Sequence, residues 1–406
     1  MSLLYGNYRV KMVIFLLISY VVSYRFFNII YIPLTFSKAI SWLFYLCIFF
    51  FWFCSNYKYK QHWLLAIVFL VGISFFTSYF IYDQTLLQGR VSLFWFQLLF
   101  CYVLFYYKIT KTEIFYSLLS FLLLWLVLWC VGYLSPTTIY SASGDYEMKY
   151  NASRGIVRMK LGGSDLCYLL GFWCLSLFFS FREKRYLCIF LGSFLVNVLS
   201  VSRQHIASFF LISLLYILYK VTWFKRVALM LFVVFVYFYV LPNVDFYNKM
   251  SELTEEQMED DGEITNNIRY RAYDYFLTSY EQSFFTQILG HGIPHFDSAY
   301  GQKIHNLGLK YGYWLSDVGY ARIYINFGVI GLMFFGYMFR RIYLKESSSE
   351  NYGIKLFVFF VYCTTIASHE LDVAVLEMSI CLYILFFIKS NSYSSFVSEK
   401  CTENKS

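Results

Sequence analysis

The chain has 406 residues, of which 59% are hydrophobic, 23% aromatic and only 14% charged; 33 Lys and Arg against 25 Asp and Glu give a formal charge of +8, and the mean hydropathy is +0.54. Soluble domains carry about 25% charged residues, so a soluble enzyme or binding module is excluded. Nucleic acid is excluded as a partner too, because most basic residues lie in short connections between apolar runs and no nucleic-acid module is present.

A bilayer core about 30 Å thick is crossed by roughly 20 apolar residues in a helix, and the helix is obligatory because lipid offers the backbone no hydrogen bonds. Runs of this kind recur at 12–32, 38–54, 62–81, 91–107, 114–134, 163–181, 186–201, 204–219, 224–241, 319–339, 354–368 and 373–388. They predict an all-α polytopic membrane protein of about twelve transmembrane helices, forming a single integral membrane domain over 1–406. The first run is too long for a signal peptide, lacks a small-residue cleavage site and is followed at once by another.

Lys and Arg set the orientation. The connections at 56–61, 108–112, 182–185, 220–226 and 340–355 hold two to four of them each, whereas the short alternate connections 33–37, 82–90, 202–203 and 369–372 hold at most one. Cytoplasmic loops retain basic residues. Both termini, including the tail 389–406, are therefore expected in the cytoplasm, and the first outer loop (135–162) and the large outer loop (242–318) outside.

In the first outer loop, KYNASRGIVRMKLGG contains Arg154 and Arg158, which share a face if the segment is helical. Arg203 follows in the tight turn LSVSRQHIASF. The large loop carries an acidic run, SELTEEQMEDDGE (251–263), read as a solvated segment rather than a metal site, then Arg269 and Arg271. The stretch 273–289 has the spacing of an interfacial amphipathic helix, broken by Gly290-His291-Gly292-Ile293-Pro294. His291 reads as a turn former. His305, in KIHNLGLKYG, has a polar and aromatic neighbourhood, and an imidazole there is suited to deprotonating or orienting a hydroxyl. Asp317 either pairs with Arg322, five residues on, or acts as a base. Glu370 and Asp372 crown the last outer hairpin, and Glu377 and Arg25 lie inside apolar runs, where ionisable groups are functional candidates.

Arginine offers a planar fork of donors matched to phosphate oxygens. For any one arginine near the hydrocarbon boundary, snorkelling to lipid headgroups is the competing explanation. A set gathered on the outer side runs against the retention rule and points to an anionic, lipid-linked substrate taken from outside. The ten cysteines avoid both long outer loops and show no metal spacing, and no nucleotide motif occurs. Neither metal nor cofactor is expected, and outer-face chemistry without ATP requires a pre-activated substrate.

In this order, RGIVRMKLGG, VSRQHIASFFLISLL, NIRYRAYDYF, LGHG, the His305-Asn306 pair and SDVGY…FGVIGL resemble the O-antigen polymerase (Wzy-type) family and its relatives the O-antigen ligases, over roughly residues 115–340. The ligase pattern has Gly about ten residues after His-Asn, where this chain has Ser316, so the resemblance leans toward the polymerases. It implies a GT-C-like membrane glycosyltransferase in the bacterial inner membrane, taking a growing O-antigen or capsule glycan from undecaprenyl diphosphate onto the next undecaprenyl-diphosphate-linked repeat unit. Donor and acceptor would be those lipid-linked oligosaccharides, with a chain-length regulator as a possible further partner. Arg154, Arg158, Arg203, Arg269, Arg271 and Arg322 would bind the diphosphate, with His305 or Asp317 as the base. A ligase, or a flippase for lipid-linked oligosaccharides, are the alternatives.

Overall fold

The computed structural model describes residues 2–29, 31–55, 62–134, 150–151, 156–157, 161–244, 248, 252, 267–280 and 283–388. Almost all of them are helical. In chain order the helices are α1 (Ser2–Ser23), α2 (Leu34–Cys54), α3 (Leu65–Tyr82), α4 (Leu86–Tyr106), α5 (Lys111–Leu134), α6 (Ser164–Phe181), α7 (Lys184–Leu199), α8 (Arg203–Lys220) and α9 (Trp223–Phe235). Then come α10 (Ile268–Asp274), α11 (Phe284–Leu289), α12 (Ala299–Tyr311), α13 (Gly319–Leu344), α14 (Tyr352–Thr364), α15 (Glu370–Val373) and α16 (Val375–Phe387). The exception is a short antiparallel pairing of Tyr150–Asn151 with Ile156–Val157. Arg154 and Arg158 lie outside the described residues.

Each expected apolar run contains helix, and among the described residues six helices, α2 to α6 and α13, are long and apolar enough to cross a membrane by themselves. The chain is thus a polytopic, all-helical membrane protein. The other runs form shorter or more polar helices, such as α7 with 16 residues and α14 with 13.

The bundle is organised around α6, which is buried on all sides from Asp165 to Leu177; a helix apolar all round belongs in a core. Small residues let its neighbours approach closely. A Cβ on Gly171 would stand 2.8 Å from that of Ser193 on α7, and one on Gly353 would run into the Phe172 carbonyl, where α14 begins.

Three irregularities shape one end of the bundle. First, α1 stops at Ser23, well short of the expected residue 32, because Arg25 to Asn28 all have left-handed φ angles of 51–56°. Each such non-glycine residue costs roughly 1–2 kcal/mol. Compensation comes from α2 and α5: Ser41 Oγ donates to the Val22 carbonyl at 2.6 Å, Tyr45 donates to the Ser23 carbonyl at 3.3 Å, and Phe27 stacks on Phe121. Second, α4 winds as a 3-10 helix from Arg90 to Leu99. Side chains at i and i+3 eclipse in that geometry, which lines up Val91, Phe94 and Gln97 as one ridge.

Third, α13 breaks at Gly328 (φ 64°, ψ −162°), a conformation almost confined to glycine. The break leaves the Ile325 carbonyl to accept from the His291 backbone N–H at 2.6 Å. Gly290 lies so close that a Cβ there would sit 2.5 Å from the Phe327 nitrogen. The expected amphipathic helix over 273–289 is instead divided, ending at Ser279 with Tyr280 extended, and restarting at Phe284 behind a Ser283–Thr286 capping box.

A cationic cavity with an aromatic side lobe

Of the six connections that the charge pattern expects outside, all but 202–203 contribute to or adjoin one cavity of about 940 Å³. The turn after α1 supplies Arg25 and Asn28, the start of α2 supplies Lys38 and Trp42, and the 3-10 segment supplies Arg90, Phe94 and Gln97. The Gly-rich turn supplies Pro294, His295 and Asp297, while α13 supplies Arg322 and Asn326, and the 369–373 turn supplies His369 and Asp372. Four fixed cations therefore face two carboxylates, so the cavity is positive before any histidine titrates.

The wall formed by 291–298 is pinned rather than draped. Gln84 donates to the Ile293 carbonyl at 3.1 Å and accepts from the His295 N–H at 2.9 Å and from Ser298 Oγ at 3.1 Å. Ser74 accepts from the Ile293 N–H at 3.0 Å. His291 is 1% exposed and bonded to the Tyr82 hydroxyl, which fits its reading as a turn former. Preorganisation of this kind holds a binding wall without cost at the moment a ligand arrives.

Several polar atoms of the lining are buried without a hydrogen-bond partner among the described residues: Asn28 Oδ1, Arg90 Nε, Gln97 Nε2, Asn326 Oδ1 and Asp372 Oδ1. Buried polar groups are ordinarily paired, so this cluster marks a surface built to meet a polar ligand. The Arg90 guanidinium lies 3.6 Å over the Trp42 ring, a cation–π seat that aims it without consuming its donors. Arg322 forms an ion pair with Asp372, replacing the expected partner Asp317. Asp317 instead accepts from Ser316 Oγ at 3.1 Å.

Burial lowers the pKa of both histidines that line the cavity. For His369 the Arg322 charge adds to the effect; for His295, Arg90 and Lys38 do. The Ser316 carbonyl faces His369 Nδ1 at 3.0 Å, so that nitrogen carries the proton. His295 Nδ1 accepts from the Asp297 N–H at 3.2 Å, leaving its proton on Nε2.

A smaller lobe of about 250 Å³ adjoins the cavity and shares Ile293, Pro294, Phe296, Arg322 and Asn326 with it. His305 lines this lobe, between the rings of Phe296 (5.3 Å) and Trp314 (5.5 Å). Behind the cavity, Tyr24 donates to Glu377, and His205 Nε2 pairs with Glu370 at 2.9 Å.

Of the residues expected to act, Arg322 and His305 come together around these two lobes. Arg203 begins α8, two residues from His205, and lines neither lobe; Arg269 and Arg271 are exposed on α10. Sequence reasoning passed over Lys38, Arg90, Trp42 and Gln84. Arg90 was visible as the one cation in the connection 82–90, and the Thr85–Gln88 capping box that starts α4 marks where it emerges.

Residues 188–336 match the family model described as O-antigen ligase. The matched span includes the Gly-rich turn, His305 and Arg322, whereas Arg25, Lys38, Arg90 and Asp372 lie outside it. No curated protein and no solved structure matches the chain. The matched domain accords with the polymerase and ligase superfamily, whose members are membrane enzymes of the glycosyltransferase kind working on lipid-linked oligosaccharides.

Proposed function

We infer that this chain, which carries an O-antigen ligase-family domain over residues 188–336, is a polysaccharide polymerase. It moves a growing glycan from undecaprenyl diphosphate onto the next lipid-linked repeat unit at the outer face of the bacterial inner membrane. The observation that carries this reading is the cavity in which Arg25, Lys38, Arg90 and Arg322 converge beside His305.

The sugar–diphosphate bond is already activated, so the reaction needs charge stabilisation on the leaving group and a base for the acceptor. Preorganised cations placed where charge develops supply the first. Here they are fixed by the left-handed turn, the Trp42 seat and the Asp372 pair. His305 supplies the second, taking the proton of the attacking hydroxyl. Its neighbour Asp317 is the other candidate base, and Arg203, Arg269 and Arg271 keep a role in diphosphate binding through the resemblance alone. Leu34, Trp42, Tyr45 and Phe94 border the same cavity and offer the apolar wall along which a polyisoprenyl tail would leave.

A ligase would run the same chemistry onto a different final acceptor, and the description of the matched family favours that as the second reading. Deleting the gene and resolving surface glycan by length decides between them. Single repeat units at the surface mean a polymerase; long chains left on undecaprenyl diphosphate mean a ligase. Repeat units trapped on the cytoplasmic side would contradict both.

A further inference from the structure

We propose that the smaller lobe is the acceptor subsite, and that it takes one uncharged sugar ring, the non-reducing end of the incoming repeat unit. The proposal rests on the glycosyl-transfer reading and specifies where its second substrate sits.

Charge is divided sharply between the two lobes. Arg25, Lys38, Arg90 and Asp372 line only the larger one. The surfaces particular to the smaller lobe are Gly301, Ile304, His305, Trp314, Leu315 and Ser316, of which only His305 is ionisable. Arg322, on the shared wall, is already paired with Asp372. A diphosphate belongs in the first environment. A neutral molecule with hydroxyl edges and C–H faces belongs in the second.

The aromatic walls are built, not incidental. Trp314 remains 36% exposed and Phe296 61%, yet both face a concave site that His305 shares. The Trp314 ring lies against bare backbone at Gly308, where a Cβ would collide with the indole. Its backbone is held by Trp314 N–H to the Gly312 carbonyl at 3.0 Å and by Asp317 N–H to the Trp314 carbonyl at 3.0 Å. Rigid aromatic faces give large contact area at small entropic cost, and C–H groups of a pyranose suit them. The volume of about 250 Å³ falls below that of most whole-ligand pockets, which suits one ring and not a chain.

In this placement the acceptor hydroxyl points at His305. Its oxygen bonds to the anomeric carbon of the donor, the bond from that carbon to the diphosphate oxygen breaks with its electron pair, and undecaprenyl diphosphate leaves. The proton passes to the ring nitrogen of His305.

Direct binding tests the division independently of turnover. The full-length chain in nanodiscs is titrated with radiolabelled repeat-unit oligosaccharide, freed from its lipid by mild acid, and separately with undecaprenyl diphosphate. Trp314→Ala should weaken the oligosaccharide at least tenfold and leave undecaprenyl diphosphate unchanged. Trp314→Phe should recover most of the loss, and Arg90→Gln should show the opposite pattern. Oligosaccharide binding should be indifferent to salt, while undecaprenyl diphosphate binding should weaken with it. Equal loss of both ligands in Trp314→Ala, or no loss of either, overturns the subsite. Absence of chain growth by the wild-type chain, with the binding pattern intact, would overturn the polymerase reading and leave the subsite standing.

Discussion

Arg322 and Asp372 form an ion pair at the junction of the two lobes, joining the first turn of α13 to the turn that precedes α16. Asp372 thereby orients the one guanidinium that both lobes share. Asp372→Asn, which keeps the shape and removes the charge, should lower transfer at least tenfold while the protein still folds. Arg322→Lys keeps the charge but not the fork and should fall further. Arg322→Ala strands a buried carboxylate, a change that costs on the order of 3 kcal/mol, and should lower Tm as well. Full activity of Arg322→Lys would remove the fork from the mechanism.

Arg25 and Arg90 bear on the donor alone. Hydrogen bonds to charged groups contribute about 1.5–3 kcal/mol, so Arg25→Gln or Arg90→Gln should each weaken undecaprenyl diphosphate binding by roughly 10- to 100-fold. Titration of the nanodisc-embedded protein reads this directly. The loss should shrink in the double variant relative to the sum, because both cations serve one anion.

Gly290 is held at φ 79° against the break in α13, with no room for a Cβ beside the Phe327 and Gly328 nitrogens. Gly290→Ala should push the 291–298 wall away from α13, lowering Tm by several degrees and abolishing chain growth. An unchanged Tm would show that the turn is not packed as described.

His369 has a lowered pKa because it is buried and faces Arg322. The folded state therefore binds its proton less readily than the unfolded chain, whose value is near 6.5. The contribution of this group to stability is full above about pH 6.5 and declines as pH falls toward the folded pKa. His369→Asn retains a donor for the Ser316 carbonyl and should flatten that part of the Tm-against-pH curve. A slope identical to wild type would assign it to other groups.

The helices were legible because lipid demands long apolar runs, and each expected run contains helix. Ends were less legible. The run at 12–32 remains apolar past Ser23, and only the packing of Phe27 on Phe121, with Ser41 and Tyr45 capping α1, ends the helix there and turns Arg25 into the cavity. His305 and Arg322 were found because polar residues near the mouth of a long apolar helix stand out. Lys38 and Arg90 were not, since each is a lone cation at the edge of an apolar run and reads as a boundary residue. The Arg322–Asp372 pair depends on how α13 meets the 369–373 turn, which no local spacing encodes. Conversely, Arg269 and Arg271 stood out as a pair, but α10 docks through Tyr273, whose hydroxyl donates to the Ile366 carbonyl at 2.6 Å, and leaves both arginines exposed.

Chain growth by the purified protein tests polymerisation in the cationic cavity without intermediaries. The wild-type chain and Arg90→Gln, each in nanodiscs, are supplied with lipid-linked repeat units extracted from the deletion strain, and the products are separated by length. A ladder of lengths is expected from the wild type and little beyond the single unit from Arg90→Gln. No ladder from the wild type, or an undiminished one from Arg90→Gln, would contradict a polymerase whose donor diphosphate sits among these cations.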